Sequence, residues 1–515
     1  MSRRSHVSGC RRSLRTLLAA LAAALFLTGL AAPAAHAAPP AGTALSWGFN
    51  LSGQLGNGTT TNSDVPVGVH LPAGTTVTAV AAANFHALAL TSDGRVLAWG
   101  AGYAGQLGDG TTTGSTTPVA VDLPAGTTVT AIAANGGHSL ALTSDGRVLA
   151  WGVNTYGELG DGTTTERLTP VAVDLPAGVT VTAITAGNSE SAALTSDGRV
   201  YAWGRNDLGQ LGDGTTADST TPVLVAIPAG TTISAVSMGS FHSLALTSDG
   251  GVLAWGDNGN GQLGDGTTTT RTTPVATLIP AGTTITAVAA GTNHSLALTS
   301  DHGVLAWGSN IGGQLGNGSL MESDIPVTVL LPPGVTVTAV AAGHSDSLAL
   351  TSTGRILAWG ANYYGALGDG STIPREVPIF TDLPEGARAT AIAAGRWYSL
   401  AVVGEPSSTT TLTASPTTVT EGRPVTLTAE VTCDLGTPTG EVTFSSGGTP
   451  IGSAPVGSDG RAEISVSDLG VGTHQITAHY AGDATCPASV SAPVTITVNA
   501  EGGGYGDYGD HGSSS

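Results

Sequence analysis

The sequence predicts an all-β protein in two parts: a closed seven-bladed β-propeller whose last blade is shared by both ends of the array, and a smaller β-sandwich behind it. Three observations carry this. A Trp-Gly pair stands at Trp47, Trp99, Trp151, Trp203, Trp255, Trp307 and Trp359, each 52 residues after the last. Each copy breaks at turn residues into four short apolar runs. The two ends of the array are complementary, so that joining them makes one whole unit, as closure of a ring requires.

Ahead of the array, residues 1–37 carry Arg3, Arg4, Arg11, Arg12 and Arg15, then an apolar run from Leu17 to Leu30, then small residues ending Ala-His-Ala. Those are the three regions of a secretory signal, and the run is short for a membrane span. The mature chain is expected to start near Ala38, and Arg11-Arg12 leaves general secretory and twin-arginine export both open. No later segment is apolar enough to cross a bilayer. Without the leader, 12 basic side chains face 37 acidic ones, a formal charge of −25. So acidic a surface repels phosphate backbones and excludes nucleic acid as a partner. All 17 basic residues are Arg, which rules out lysine-nucleophile and Schiff-base chemistry.

Within the array, the stretch from Pro118 to Gly152 yields strand runs at 119–121, 129–134, 138–143 and 147–151. The third and fourth are joined by Asp145-Gly146, a pair suited to the positive backbone angles of a two-residue hairpin, and Asp93, Asp197 and Asp249 stand in the same place. Large and small residues alternate, as in Leu140-Ala141-Leu142, a pattern for sheets covered on both faces. The seventh unit stops at Val403 without a final strand, and residues 43–48 (Thr-Ala-Leu-Ser-Trp-Gly) are a final strand without a unit. Pairing them shares the last blade and removes the exposed edges.

The order Ala-Gly-x-x-His-Ser-Leu-Ala-Leu-Thr-Ser-Asp-Gly, then Val-Leu-Ala-Trp-Gly, then Gly-Gln-Leu-Gly-Asp-Gly resembles the repeat of the regulator of chromosome condensation family over about residues 43–403. The resemblance implies a seven-bladed propeller. It does not fix an activity, since the family includes both a nucleotide exchange factor for a nuclear small GTPase and secreted bacterial inhibitors of β-lactamase. Here the repeats are uniform in length, with no inserted wedge and no basic chromatin-binding tail, which argues against exchange activity.

Function is expected where the copies differ. One variable window follows each Trp-Gly; the other precedes each His-Ser or its equivalent. Aromatic and Arg side chains in or beside these windows are the candidate partner-binding residues: Phe85, Tyr103, Tyr156, Arg205, Phe241, Tyr363, Tyr364, Arg396, Trp397 and Tyr398. His86, His138, His242 and His294 share one repeat position, which is taken by Glu190, Asp346 and Tyr398 in other copies. Positions a blade apart need not converge on a metal, so these His are expected to be framework groups bonded to backbone. The Gly-Gln-Leu-Gly-Asp-Gly stretch lacks both a phosphate-loop lysine and the ligand spacing of a calcium hand. Neither a cofactor, a metal nor a catalytic grouping is expected.

Residues 404–408 form a polar linker, and residues 409–499 alternate as sandwich strands do, at Val425, Leu427, Ala429 and Val431 and again at Val494, Ile496 and Val498. This segment is similar to bacterial immunoglobulin-like repeats. Of the three cysteines, Cys10 leaves with the leader, while Cys433 and Cys486 are expected to form a disulfide. Residues 500–515 form a Gly-rich acidic tail, expected to be disordered and without a cell-wall sorting signal. The whole reads as a secreted, non-enzymatic scaffold that binds an extracellular or cell-envelope protein. Inhibition of a secreted hydrolase such as β-lactamase and an enzyme acting on extracellular glycan or peptide are the alternatives.

Overall fold

The computed structural model describes residues 42–384, 387–404, 408–433, 437–483 and 486–501. The expected leader, most of the linker and nearly all of the tail lie outside the described residues. The chain divides into two compact units, with the break after Glu405.

The first unit is seven four-stranded antiparallel sheets. In the first blade the strands run, from the channel outwards, Val77–Ala82, His86–Thr91, Val96–Gly100 and Ser115–Ala120. These match the expected runs closely, but the blade starts one strand later than the sequence repeat read above. The Pro-Val strand belongs to the blade before it: Ser115–Ala120 pairs with Val96–Gly100, Leu97 opposite Ala120 and Gly100 opposite Ser115. The connection after Trp-Gly folds back on itself and returns the chain beside the strand it has just left. The shared blade is consequently built two and two. Arg388–Ala394 and Tyr398–Gly404 form its inner half, Thr43–Gly48 and Ser63–Gly68 its outer half. The closing register runs from Thr43 opposite Val403 to Gly48 opposite Tyr398 without a bulge.

Apolar clusters form between neighbouring sheets. Leu88, Leu90 and Val96 of the first blade pack with Ile132, Leu149 and Trp151 of the second. All seven repeat tryptophans are fully buried. Each spends its one polar atom across a blade boundary: Trp99 Nε1 donates to the Gln54 carbonyl at 2.8 Å, and Trp47 donates to that of Ala366, also at 2.8 Å, over the closure. Burying one such ring removes roughly 200 Å² from water, worth at most ~5 kcal/mol. The glycine after each Trp is required by the backbone. Gly100 has φ +103°, and a Cβ there would stand 2.5 Å from the Phe85 carbonyl oxygen.

The second unit is a β-sandwich. One sheet holds Ser408–Ser415, Val425–Cys433 and Arg461–Val466; the other centres on Gly472–Tyr480, flanked by Val494–Asn499 and Glu441–Ser446. Val425, Leu427, Val442, Phe444, Ile476, Tyr480 and Ile496 fill the space between the sheets. Cys433 and Cys486 are bonded and close a separation of 53 residues.

Candidate functional site

Both variable windows lie at one end of the blades. One is the turn between the first and second strands, the other the connection leaving the third, and a backbone bond ties them in every copy. The Ala101 amide donates to the Phe85 carbonyl at 2.8 Å, that of Arg205 to Ser189 at 2.9 Å, and that of Phe49 to Trp397 at 2.8 Å across the closure. The fourteen windows therefore form one face around the channel.

Not every residue in them is free to vary. Asn50, Asn154, Asn206, Asn258, Asn310 and Asn362 are buried hubs at the second position after Trp-Gly. Asn206 Oδ1 accepts from the Leu211 amide at 2.9 Å, while its Nδ2 donates to Asp213 and to the carbonyls of Thr215 and Ala217 at 3.1 to 3.3 Å. These bonds fold the connection back. Their recurrence at fixed spacing was visible in the sequence and distinguishes them from the true variables beside them; Gly102 replaces the hub in one copy.

The aromatic and Arg candidates fall into two groups on opposite sides of the ring. At the closure, Phe49 makes edge contacts with Tyr364 (4.9 Å between centroids) and Trp397 (5.8 Å), and Tyr364 meets Trp397 at 5.3 Å. The Arg396 guanidinium lies 4.5 Å from the Trp397 ring centre and 5.3 Å from that of Phe85. Phe49 and His344, which stacks edgewise on Trp397 at 5.3 Å, belong to this group but were not among the expected residues. They precede an Asn hub and occupy the window's Arg396 position, and only ring closure brings them together. Across the channel, Arg205 stands over Tyr156 (5.3 Å) and Phe241 (5.9 Å) and is held by Asp207 at 2.6 Å. Tyr103 and Tyr363 stand apart, 63% and 66% exposed.

Tyr398 does not join the surface. It is fully buried and its hydroxyl donates to the His86 carbonyl at 2.6 Å, so it bonds the last blade to the first. The His of the same repeat position correct the expectation in a second way, since their partner is a side chain and not backbone. Nε2 of His86, His138, His242 and His294 meets the hydroxyl of Ser139, Ser191, Ser295 and Ser347 respectively, on the next blade, at 2.8 to 3.0 Å. Nδ1 of all four is buried without a partner. Burial accordingly pushes them down to about 3, or about 4 for His138, and keeps them neutral. The acids of this girdle move the other way for the same reason: Asp346 is pushed up to about 8, and Glu190 is raised well above its ordinary range. Each leaves one carboxyl oxygen unpartnered.

Among the described residues no group of three or more His, Cys, Asp or Glu is placed to hold a metal, and no helix is long and apolar enough to cross a membrane.

Comparison with known proteins agrees with this geometry. Residues 114–411 match the model of the RCC1-like domain, residues 41–90 and 77–106 match models of the regulator of chromosome condensation (RCC1) repeat, and residues 412–499 match the bacterial Ig-like domain (group 3). The chain is 32% identical to the ultraviolet-B receptor UVR8 of Arabidopsis thaliana, over 65% of this chain and 76% of that one. It is also 32% identical to the human E3 ubiquitin-protein ligase HERC2, over 70% of this chain but only 8% of that protein. The mitochondrial RCC1 domain-containing protein RUG3 of Arabidopsis thaliana is 30% identical over 70% of this chain and 88% of its own length. Among solved structures, human WBSCR16 superimposes with a TM-score of 0.65 at 24% identity, covering 71% of this chain and 99% of that one. Yeast RCC1 (Prp20) bound to Kap60 gives 0.65 at 22% identity, covering 79% and 95%. At these identities the structural likeness shows the fold alone.

Proposed function

Since the chain belongs to the RCC1-like domain family, whose relatives include a light receptor and a ubiquitin ligase and so share a propeller and not a reaction, we propose that it is an exported, non-enzymatic scaffold that binds an extracellular or cell-envelope protein. The binding surface is the face carrying the variable windows. One observation carries this reading: the closure brings Phe49, Phe85, Tyr364, Arg396 and Trp397 from three blades into one contiguous group, on the same face as Tyr156, Arg205 and Phe241. Packing within a blade does not require side chains of that kind there, because other copies put Gly136, Ser189 or Thr292 at the equivalent places. Aromatic and Arg side chains in a preformed patch are the usual energetic centre of a protein interface. The basic leader, the immunoglobulin-like module and the disulfide support export.

The test is affinity capture from the growth medium and envelope fraction of the source cells, with the intact chain and the Phe85→Ala, Trp397→Ala double variant side by side. The expected result is a specific binder retained by the first and lost by the second. Identical recovery by both, or none by either, refutes the reading. A captured hydrolase whose turnover stops on binding would narrow it to an inhibitor.

A further inference from the structure

The seven window positions that precede each phenyl, tryptophan or small residue form a ring at the mouth of the channel: Asn84, Gly136, Asn188, Ser240, Thr292, His344 and Arg396. Most of this ring is satisfied from within. Asn84 Nδ2 donates to Asn188 Oδ1 at 2.9 Å, spanning the place that Gly136 leaves empty. The Thr292 hydroxyl bonds the Ser240 hydroxyl at 3.0 Å and His344 Nδ1 at 2.9 Å. Arg396 is the exception. Among the described residues its guanidinium makes no hydrogen bond and no ion pair, and its Nε is buried without a partner. Every other Arg on this face has an acid: Arg205 is held by Asp207. Arg396 is instead clasped between the rings of Phe85 and Trp397, which fix its plane and leave its donors unspent.

Beside it lies a small hollow lined by Asn84, Asn135, Ser240, Thr292, His344 and Arg396, and the hollow opens past Ala82, Ala290, Ala342 and Ala394 into the channel. The channel is a cavity of about 220 Å³ walled by the innermost strands, mostly Ala, Val and Ile with Thr185 and Ser237 among them. A buried, unpartnered guanidinium donor is costly, and the group that relieves it is a carboxylate, which accepts from Nε and a terminal nitrogen together.

Resting on the reading that this face binds a protein, we propose that the channel mouth is a socket for one acidic side chain, a Glu or Asp on a loop of the partner, docked on Arg396 and flanked by apolar residues that lie on Phe49, Tyr364 and Trp397. The charge of the chain as a whole favours a single carboxylate over a polyanion. Its formal net charge is −20, so a highly acidic ligand is repelled by the surface as a whole while a single carboxylate can be met by Arg396. The aromatic walls exclude water from the pair and demand an apolar neighbourhood around the acid, which a free small anion lacks.

The experiment selects a random dodecapeptide phage library on the intact chain and on Arg396→Gln. The best peptide is then measured by calorimetry against its Glu→Gln or Asp→Asn counterpart, and sodium acetate is titrated in parallel. Expected are peptides sharing one acid among apolar residues, a loss of about tenfold or more when that acid is neutralised, and no enrichment of the motif on Arg396→Gln. Arg396→Lys, which keeps the charge but not the fork, is expected to recover only part of the affinity. Unchanged tryptophan-monitored unfolding of Arg396→Gln shows that the variant is folded. Selection of nothing, selection without a shared acid, or an acid that binds Arg396→Gln equally well overturns the proposal. So does acetate binding as tightly as the peptide, because the site would then serve a free carboxylate. Capture of a natural partner that is indifferent to Arg396→Gln but lost in Phe85→Ala, Trp397→Ala would refute the socket and leave the binding face standing.

Discussion

The girdle of buried titratable groups predicts that the propeller is most stable near neutrality and weakens on both sides. Four histidines have ordinary values near 6.5 when unfolded, but stay neutral in the fold down to about 3 or 4. Below pH 6.5 the unfolded chain therefore binds protons that the folded chain refuses, and stability is lost as pH falls, by about 1 kcal/mol per pH unit for each group. Asp346 has the opposite sign. It holds its proton in the fold up to about 8 against an ordinary 3.8, so the folded chain binds the extra proton and stability is lost as pH rises between those values. Glu190 is raised in the same sense by burial, as is Glu158; His344 is lowered by burial and by Arg396. The hairpin acids such as Asp93 and Asp145 are lowered from an already low value by Thr and Arg partners, and act only in stronger acid. Below pH 6 the histidines outnumber the acids, and above pH 7 only the acids still differ between the two states. The maximum falls between about pH 6 and 7, with a fall of a few kcal/mol by about pH 5.

All eight tryptophans lie between residues 47 and 397, so tryptophan fluorescence during urea unfolding reports the propeller without the sandwich. Midpoints are expected to peak near pH 6.5 in the natural chain. In Asp346→Asn with Glu190→Gln, both neutral and of nearly the same shape, the alkaline decline should largely vanish while the acid limb steepens, because the two carboxyls no longer offset the histidines there. A natural chain whose stability rises steadily from pH 5 to 9, or a double variant with the same alkaline decline, would refute the reasoning.

Three further outcomes follow from the geometry. Tyr398→Phe removes the bond to the His86 carbonyl that fastens the last blade to the first, and should cost about 1 to 2 kcal/mol in fluorescence-monitored urea unfolding. Gly126→Ala, at φ +78° with nothing within 4 Å, should lose only the strain of the backbone angle, about 1 kcal/mol, whereas Gly100→Ala, at φ +103°, also forces a Cβ to 2.5 Å from the Phe85 carbonyl oxygen and should lose clearly more; the comparison is read from urea midpoints. Replacing Cys433 and Cys486 together by Ser should lower the sandwich by about 4 kcal/mol on the chain-entropy model and leave the propeller transition in place, as calorimetry combined with tryptophan fluorescence would show.

The architecture was legible because the chain states it seven times. Periodic Trp-Gly, alternating Leu-Ala runs and Asp-Gly hairpins fix strand number and strand length, and the complementary ends fix closure. The phase of the blade was not legible. A repeating sequence has no intrinsic starting point, and only hydrogen bonding shows that Arg375–Phe380 pairs with Ile356–Gly360 and so completes the sixth blade and not the seventh. The closing blade thereby takes two strands from each end.

The candidate site was legible in kind but not in arrangement. The windows that differ between copies can be read from the repeat, and the structure puts them at one end of the blades, yet three distinct roles are mixed within them. Asn50 and its equivalents fold the connection, Tyr398 fastens two blades from inside, and Phe49 with His344 completes a surface group that forms only when residue 49 is carried next to residue 397. Separating these roles needs the ring as well as the repeat. A side chain that recurs at one position reports what every blade requires, whereas a group spread over three blades is written in no single copy. The same distinction explains Glu190 and Asp346. Each sits where four other copies place a neutral His bridging to a Ser hydroxyl, and among the described bonds neither acid makes that bridge. At the two blade boundaries concerned, a buried carboxyl that must keep its proton replaces an interblade hydrogen bond. Those boundaries are therefore where rising pH should loosen the ring first, and hydrogen exchange followed from pH 6 to 8 should show the strands Glu190–Thr195 and Asp346–Thr351 losing protection before His86–Thr91 or His294–Thr299.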